Sequence, residues 1–180
     1  MSPWLWVFVI AYALTRALSL IVSARHERAL RSAGAVELDV RTTRALLGAI
    51  TTYSLAALIA GVLQGTQLDR VSLSGIILVA ASQLALLFVV RALGRLWTVR
   101  LLMASDHQHV RSMLLDRVRH PNYFLNLVPE WLGLGIAFHA WLVMAVGLPI
   151  LFLLLIARIR HEEQALRVRF TGYRGLFIRS

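Results

Sequence analysis

Four stretches of this 180-residue chain are long, apolar and almost uncharged. Residues 45–63, 72–90 and 140–157 carry no charge, and residues 4–23 carry only Arg16. Crossing the hydrocarbon core of a bilayer as a helix takes about 20 apolar residues, with a range of about 17–25. Each stretch meets that length. Apolar residues make up 58% of the chain and mean hydropathy is +0.69. Soluble domains carry about 45–50% apolar residues. One domain cannot hide that much apolar surface from water, so the sequence predicts an all-α integral membrane protein.

A fifth apolar segment, 124–138, is shorter and contains Pro129 and Glu130. A very short turn joins it to 140–157, which predicts a tight antiparallel hairpin. The expectation is about five transmembrane helices and a short C-terminal cytoplasmic helix. A re-entrant helix for 124–138 remains an alternative, because non-spanning backbone is tolerated where protein covers it. The chain reads as a single membrane domain over 1–180. Residues 1–100 hold three spans and their linkers, and 101–180 hold the hairpin with two polar clusters. Residues 24–33 read as a short helix extending the first span. In it Glu27 and Arg31 have the i,i+4 spacing of a surface pair and Gly34 is a plausible stop. Residues 101–113 fit a short strand or a loop equally well.

Arginine placement orients these spans. The net charge of +10 contains no lysine. Arg25, Arg28, Arg31, Arg41 and Arg44 fall in the first loop, further arginines lie between Arg91 and Arg119, and others follow position 157. The opposite side holds Arg70. The positive-inside rule then places the N-terminus outside and both large polar segments, with the C-terminus, in the cytoplasm. A bacterial inner membrane fits. In a soluble protein such charge would suggest nucleic acid. Between apolar spans it instead sets topology and meets anionic headgroups, so membrane lipids are expected partners and nucleic acid is not. The long apolar run at the N-terminus has no basic region before it, which argues against a secretory signal. The absence of cysteine excludes a disulfide framework, a thiol nucleophile and a cysteine-based zinc site.

Two polar clusters bracket the hairpin. Arg119, His120, Pro121, Asn122 and Tyr123 stand where an arginine-rich stretch meets an apolar helix. Arg158, Ile159, Arg160, His161, Glu162 and Glu163 stand where the next helix leaves the membrane. The hairpin should bring them together on one face. Proline is tolerated in a first helical turn, so Pro121 marks a helix start. Unpaired amides and partial positive charge at such a start favour an anionic group. Arg119, His120 and these amides suit a carboxylate or phosphate, and Tyr123 offers an aromatic face. The plainer reading is a helix start with Arg119 on lipid phosphate and Tyr123 as an interfacial anchor.

Asn122, Asn126 and Glu130 are spaced i, i+4, i+8, so they form one polar stripe descending into the membrane. A carboxylate at that depth is costly. It marks function, bonds to a neighbouring span, or reaches the far interface. In the second cluster, Arg158–Glu162 and Glu163–Arg167 have i,i+4 spacing. That suits surface ion pairs worth a few tenths of a kcal/mol. Adjacent glutamates point about 100° apart, so one faces inward, where a carboxylate can accept bonds from a ribose diol. Arg16 can snorkel to the near interface. His107 and His109 lack a third ligand at useful spacing, so no metal is expected. His139, at the hairpin turn, is expected to face water, and Gly94 and Trp97 to pack at the interface.

Taken together, a polar segment ending RHPNY, a short span with Glu130-Trp131, an apolar span and then RIRHEEQAL closely resemble the C-terminal half of the isoprenylcysteine carboxyl methyltransferase family. The resemblance covers about residues 111–170. Residues 27–37 also look like the segment after the first span in bacterial members, some of which methylate lipid-tailed alkylpyrones. The resemblance implies S-adenosylmethionine as cofactor, with 101–180 as the cofactor-binding region. It implies a pocket built by His120, Pro121, Asn122, Tyr123, Glu162 and Glu163, and Arg119 or Arg158 facing the methionine carboxylate. The acceptor would be a lipophilic small molecule or lipidated group entering sideways from the bilayer. Relatives usually carry a Gly-Pro-Tyr turn shortly before RHPxY, where this chain has Met113-Leu114-Leu115-Asp116, so the resemblance implies that the pocket wall differs here.

The expected activity is O-methyl transfer to a carboxylate or hydroxyl. An anionic acceptor needs no general base, which fits a chain without an evident Ser/His/Asp set. An amine acceptor would need one, for which Glu130 is the only intramembrane candidate; Asn126 and Glu130 are the candidate catalytic residues. Two rivals stand beside this reading. One is an NADPH-dependent membrane reductase of the sterol-reductase type, favoured by extra arginines. The other is a non-enzymatic degenerate relative, suggested by Met113-Leu114-Leu115.

Overall fold

A computed structural model describes residues 1–37, 39–100, 102–103 and 122–169 of the chain. Helix α1 runs from Pro3 to Ser32, so the first span and its expected extension are one helix. It starts on a proline, which cannot donate to a preceding turn and is harmless there. It ends at Ala33-Gly34. Gly34 takes a left-handed φ of +85°, which costs a residue without Cβ little, and the amides of Gly34 and Ala35 bond back to the carbonyls of Arg31 and Leu30. The chain then forms a two-residue strand β1, Val36–Glu37, paired antiparallel with β2, Leu102–Met103. The undecided segment after residue 100 therefore opens as a strand, and its remainder lies outside the described residues.

Helix α2 spans Val40–Leu63 and α3 spans Arg70–Leu93. Each begins at an aspartate whose carboxylate accepts an amide of the first turn. Asp39 takes Thr42 N–H at 3.2 Å and Asp69 takes Ser72 N–H at 2.7 Å. A 3₁₀ turn, Gly94–Leu96, follows α3. The hairpin begins with a π-helical stretch, Asn122–Leu127, that runs into α4, Val128–Ala137. Pro129 sits in the first turn of α4. Its missing N–H interrupts the i−4 ladder just where the backbone is widened to the π form. Helix α5 then runs from Trp141 to Arg169. The expected short C-terminal helix is the end of α5 itself.

Among the described residues, four helices are long and apolar enough to cross a membrane: α1, α2, α3 with the turn after it, and α5. The predicted fifth span, 124–138, is helical but differs in kind. The six-residue π stretch and ten-residue α4 are short of a span, and neighbouring helices cover most of their side chains. Trp131, Leu134 and Phe138 are almost fully buried, whereas Leu18, Leu63 and Leu142 on the long helices are exposed where lipid would lie. A helix shielded by protein need not match the bilayer thickness and can carry a proline and a glutamate.

Close backbone approach holds α4 in place. A Cβ on Gly75 of α3 would lie 2.3 Å from the Ala137 nitrogen, and one on Gly133 of α4 would lie 2.8 Å from the Gly75 carbonyl oxygen. Between membrane helices, association rests on such contact and on polar bonds, because lipid tails are as apolar as leucine. The main core then joins α2, α4, α5 and the π stretch through Leu46, Tyr53, Leu127, Trp131, Leu151 and Leu155. Helix α1 is the exception. Only 6% of its span is buried, against 22–28% for the others.

Candidate functional site

Two buried polar clusters lie along the hairpin. The first surrounds Glu130, which is fully buried. Its Oε1 accepts the Tyr12 hydroxyl at 2.7 Å. Its Oε2 faces Arg16 Nη1 at 3.4 Å, Gln83 Nε2 at 3.3 Å and Asn126 Nδ2 at 3.3 Å. The Asn126 amide also donates to the Ser82 carbonyl at 3.2 Å. The carboxylate thus ties α1, α3 and the hairpin together. The expectation that Arg16 snorkels outward is corrected: it turns inward, because the Glu130 charge inside the bundle is the better partner for a cation at that depth. Of the open readings of Glu130, the geometry matches bonding to neighbouring spans. Asn126 and Glu130, the candidate catalytic pair, contact each other and are enclosed by these donors.

The second cluster joins the two ends of the hairpin. Tyr123, in the π stretch, donates its hydroxyl to Glu162 Oε2 at 2.8 Å, and Arg158 Nε donates to the same hydroxyl at 2.9 Å. Arg158 is 5% exposed. It also bonds Thr43 Oγ1 of α2 at 2.7 Å and the Val99 carbonyl at 2.9 Å. Glu163 is buried and Glu162 half-buried, so one of the adjacent glutamates faces inward, as their angular separation requires. Arg158 is not a member of a surface ion pair; burial and three directed bonds make it the clamp between α2, α5 and the segment after α3.

Of the residues singled out in the sequence, the fold thus brings Tyr123, Arg158 and Glu162 into direct contact. Glu163 follows on the same helix. Asn122 opens the π stretch, and its buried Oδ1 has no hydrogen-bond partner among the described residues. Arg119, His120 and Pro121 lie outside the described residues, as do His107, His109 and Met113-Leu114-Leu115-Asp116. The side chain of Arg167 is also outside them.

Around this cluster, His161 Nδ1 lies 2.5 Å from Asp39 Oδ2 and 3.4 Å from Thr42 Oγ1, linking α5 to the cap of α2. Partial burial works against the Asp39 charge, but the His161 ring and the Thr42 side chain and amide hold its carboxyl below the usual 3.8. Glu27 and Arg31 form their expected pair at 2.9 Å. Arg100 adds contacts to Glu27 and Glu37 at 3.4 and 3.2 Å, and Glu37 also pairs with Arg31. At the far end of the hairpin, His139 does not simply face water. It is half-buried, with Nε2 at 3.2 Å from both Asp69 and Ser72, because its left-handed φ of 54° at the turn directs it onto the start of α3.

Sequence reasoning missed Thr43, the Val99 carbonyl, Tyr12 and Gln83. Tyr12 and Arg16 carry an i,i+4 signal that matches the hairpin's own polar stripe, and Gln83 is a lone amide in an uncharged span. Thr43 and the Val99 carbonyl had no such signal, since a threonine beside a helix start is ordinary and a backbone carbonyl leaves no trace in the sequence.

The family model of the isoprenylcysteine carboxyl methyltransferase (ICMT) family matches residues 75–168, which include α4, nearly all of α5, and Tyr123, Glu130, Arg158 and Glu162. An uncharacterized protein of Haemophilus influenzae is 38% identical over 148 residues, covering 82% of this chain and 86% of that protein. No solved structure matches the chain. The family model matches more than half of the chain, so the chain belongs to the isoprenylcysteine carboxyl methyltransferase family.

Proposed function

We propose that this protein is an S-adenosylmethionine-dependent O-methyltransferase whose acceptor is a lipophilic carboxylate or hydroxyl dissolved in the membrane. The observation that carries the reading is the Tyr123–Glu162–Arg158 contact. It joins the π stretch opening at Asn122 to the RIRHEE helix and gathers polar groups where two otherwise apolar helices converge. The residues there suit the cofactor. Asn122 Oδ1 is a buried acceptor with no partner among the described residues, fit for an ammonium or hydroxyl donor. Glu162 and Glu163 are acceptors suited to a ribose diol. Each guanidinium nitrogen of Arg158 already has a bond, so Arg158 holds the cluster together and Arg119 is the better candidate for the methionine carboxylate.

S-adenosylmethionine supplies, when bound, a methyl group already activated on a sulfonium. The chain's own task is then to align acceptor and donor and exclude water. Orientation of this kind can contribute roughly 7–11 kcal/mol to rate. An acceptor that arrives as an anion needs no base, and the enclosed Glu130 is left to hold the helices. The site belongs on the cytoplasmic face by the arginine distribution.

Calorimetry on the detergent-purified protein tests this directly. Binding of S-adenosylmethionine in the micromolar range is expected, weakened at least tenfold by Glu162→Ala and by His120→Ala. No heat at millimolar ligand, or binding unchanged in both variants, would sink the reading.

A further inference from the structure

Between α1 and α3, in the half of the bundle nearest the arginine-rich segments, lies a groove of about 160 Å³. Leu18 and Val22 of α1 face Leu86, Leu87 and Val90 of α3 across it, and Trp97 closes its end. The polar groups on its walls are already engaged. Thr15 and Ser19 hydroxyls bond to the α1 carbonyls of Tyr12 and Arg16, and Gln83 bonds to Glu130. The exception is Trp97. It is 4% exposed, yet among the described residues its indole N–H has no acceptor. A buried donor left unpaired costs about 1–3 kcal/mol.

We infer that this groove seats the hydrocarbon chain of the methyl acceptor, with an oxygen of its anionic head taken by the Trp97 indole N–H. Three observations select that occupant. The groove opens between two membrane helices, so its ligand comes from the bilayer. Its walls offer a chain nothing but apolar contact, so the polar end must sit at Trp97. Two residues beyond Trp97, the Val99 carbonyl accepts from Arg158, and Val99 N–H donates to Ser23 Oγ at 2.8 Å, so the groove's end abuts the Tyr123–Arg158–Glu162 cluster. Helix α1 is also the least packed span, so it can yield to a chain while the α2–α4–α5 core stays intact. A larger groove of about 400 Å³ between α2 and α5 lacks the second feature: no unpaired buried polar atom lies on its walls. The inference rests on the methyltransferase reading only for the identity of the head.

The test uses the full chain in phosphatidylcholine nanodiscs and a long-chain fatty acid carrying a diazirine in mid-chain. Labelling should concentrate on peptides containing residues 15–22 and 83–97, and unlabelled fatty acid should compete it away. Leu18→Trp and Leu87→Trp, at positions 61% and 51% exposed, fill the groove from the lipid side and should cut labelling at least fivefold. Trp97→Phe should keep the chain's position but weaken competition about tenfold, the loss of one bond to a charged group. Even labelling of all four spans, or labelling centred on residues 142–151, would overturn the inference, as would competition unchanged by Trp97→Phe. Calorimetry with S-adenosylmethionine on the same preparations separates the two ideas. Groove labelling without cofactor binding would sink the methyltransferase reading and leave the groove standing.

Discussion

The two polar clusters of the hairpin are both buried and both built around a glutamate, but they are finished to different degrees. Around Glu130 each carboxylate oxygen has a donor, and the donors come from α1, α3 and the hairpin. Around Tyr123 the bonds hold helices together, yet Glu162 stays half-exposed and Asn122 Oδ1 has no partner. A cluster closed on itself has nothing left to offer a ligand, so its value is structural. A cluster with an acceptor unpartnered among the described residues, Asn122 Oδ1, can receive one.

The largest test of that contrast is Glu130→Leu. Removing the carboxylate takes the shared acceptor from Tyr12, half-buried Arg16, Gln83 and Asn126 at once, so a loss of about 3 kcal/mol is expected. Thermal unfolding in detergent would show it, with Glu130→Gln losing less. If Glu130→Leu melts like the parent and loses only methyl transfer, the network is not a structural pin. Gly75→Ala comes next. Its Cβ would fall 2.3 Å from the Ala137 nitrogen, so α3 and α4 must separate at a cost of about 1–3 kcal/mol. The same melting assay reads this, and an unchanged midpoint would show that the close α3–α4 approach does not hold the hairpin.

At the open cluster the expectation reverses in kind. Tyr123→Phe keeps the ring but removes the hydroxyl shared by Glu162 and Arg158. A modest stability loss of about 1–2 kcal/mol should accompany a tenfold or greater weakening of S-adenosylmethionine binding by calorimetry. Equal binding in both forms would place the ligand elsewhere. The smallest effect belongs to Asp39. Asp39→Ala removes a helix cap and the His161 contact, for about 1 kcal/mol. Because the folded protein lowers the Asp39 pKa, its contribution is fully present above 3.8 and is lost as pH falls below that value. An acid titration of stability should therefore show a shallower loss below pH 4 in Asp39→Ala than in the parent.

Much of this was legible in the chain. The four uncharged stretches named the spans, since lipid leaves little choice but helix for a segment of that length. The polar residues at both ends of a short apolar hairpin named Tyr123, Arg158 and Glu162 as neighbours. The 124–138 segment was harder. Its apolar content looks like a span, and only its packing against α3 shows that protein, not lipid, surrounds it. Arg16 went the other way: near an interface it reads as a snorkelling cation, and its turn inward depends on a glutamate far along the chain.

By itself, then, the sequence determined the membrane setting, the helix positions and which side carries the cations. Those follow from local runs of apolar residues and from arginine placement, and need no knowledge of contacts. Tertiary structure alone decided which polar residues meet. Glu130 draws partners from Tyr12, Arg16 and Gln83, while Arg158 is fixed by Thr43 and a backbone carbonyl. Inside a bundle a charge takes whichever donors the packing places nearby, and helix packing depends on glycine-to-backbone contacts that no periodicity announces.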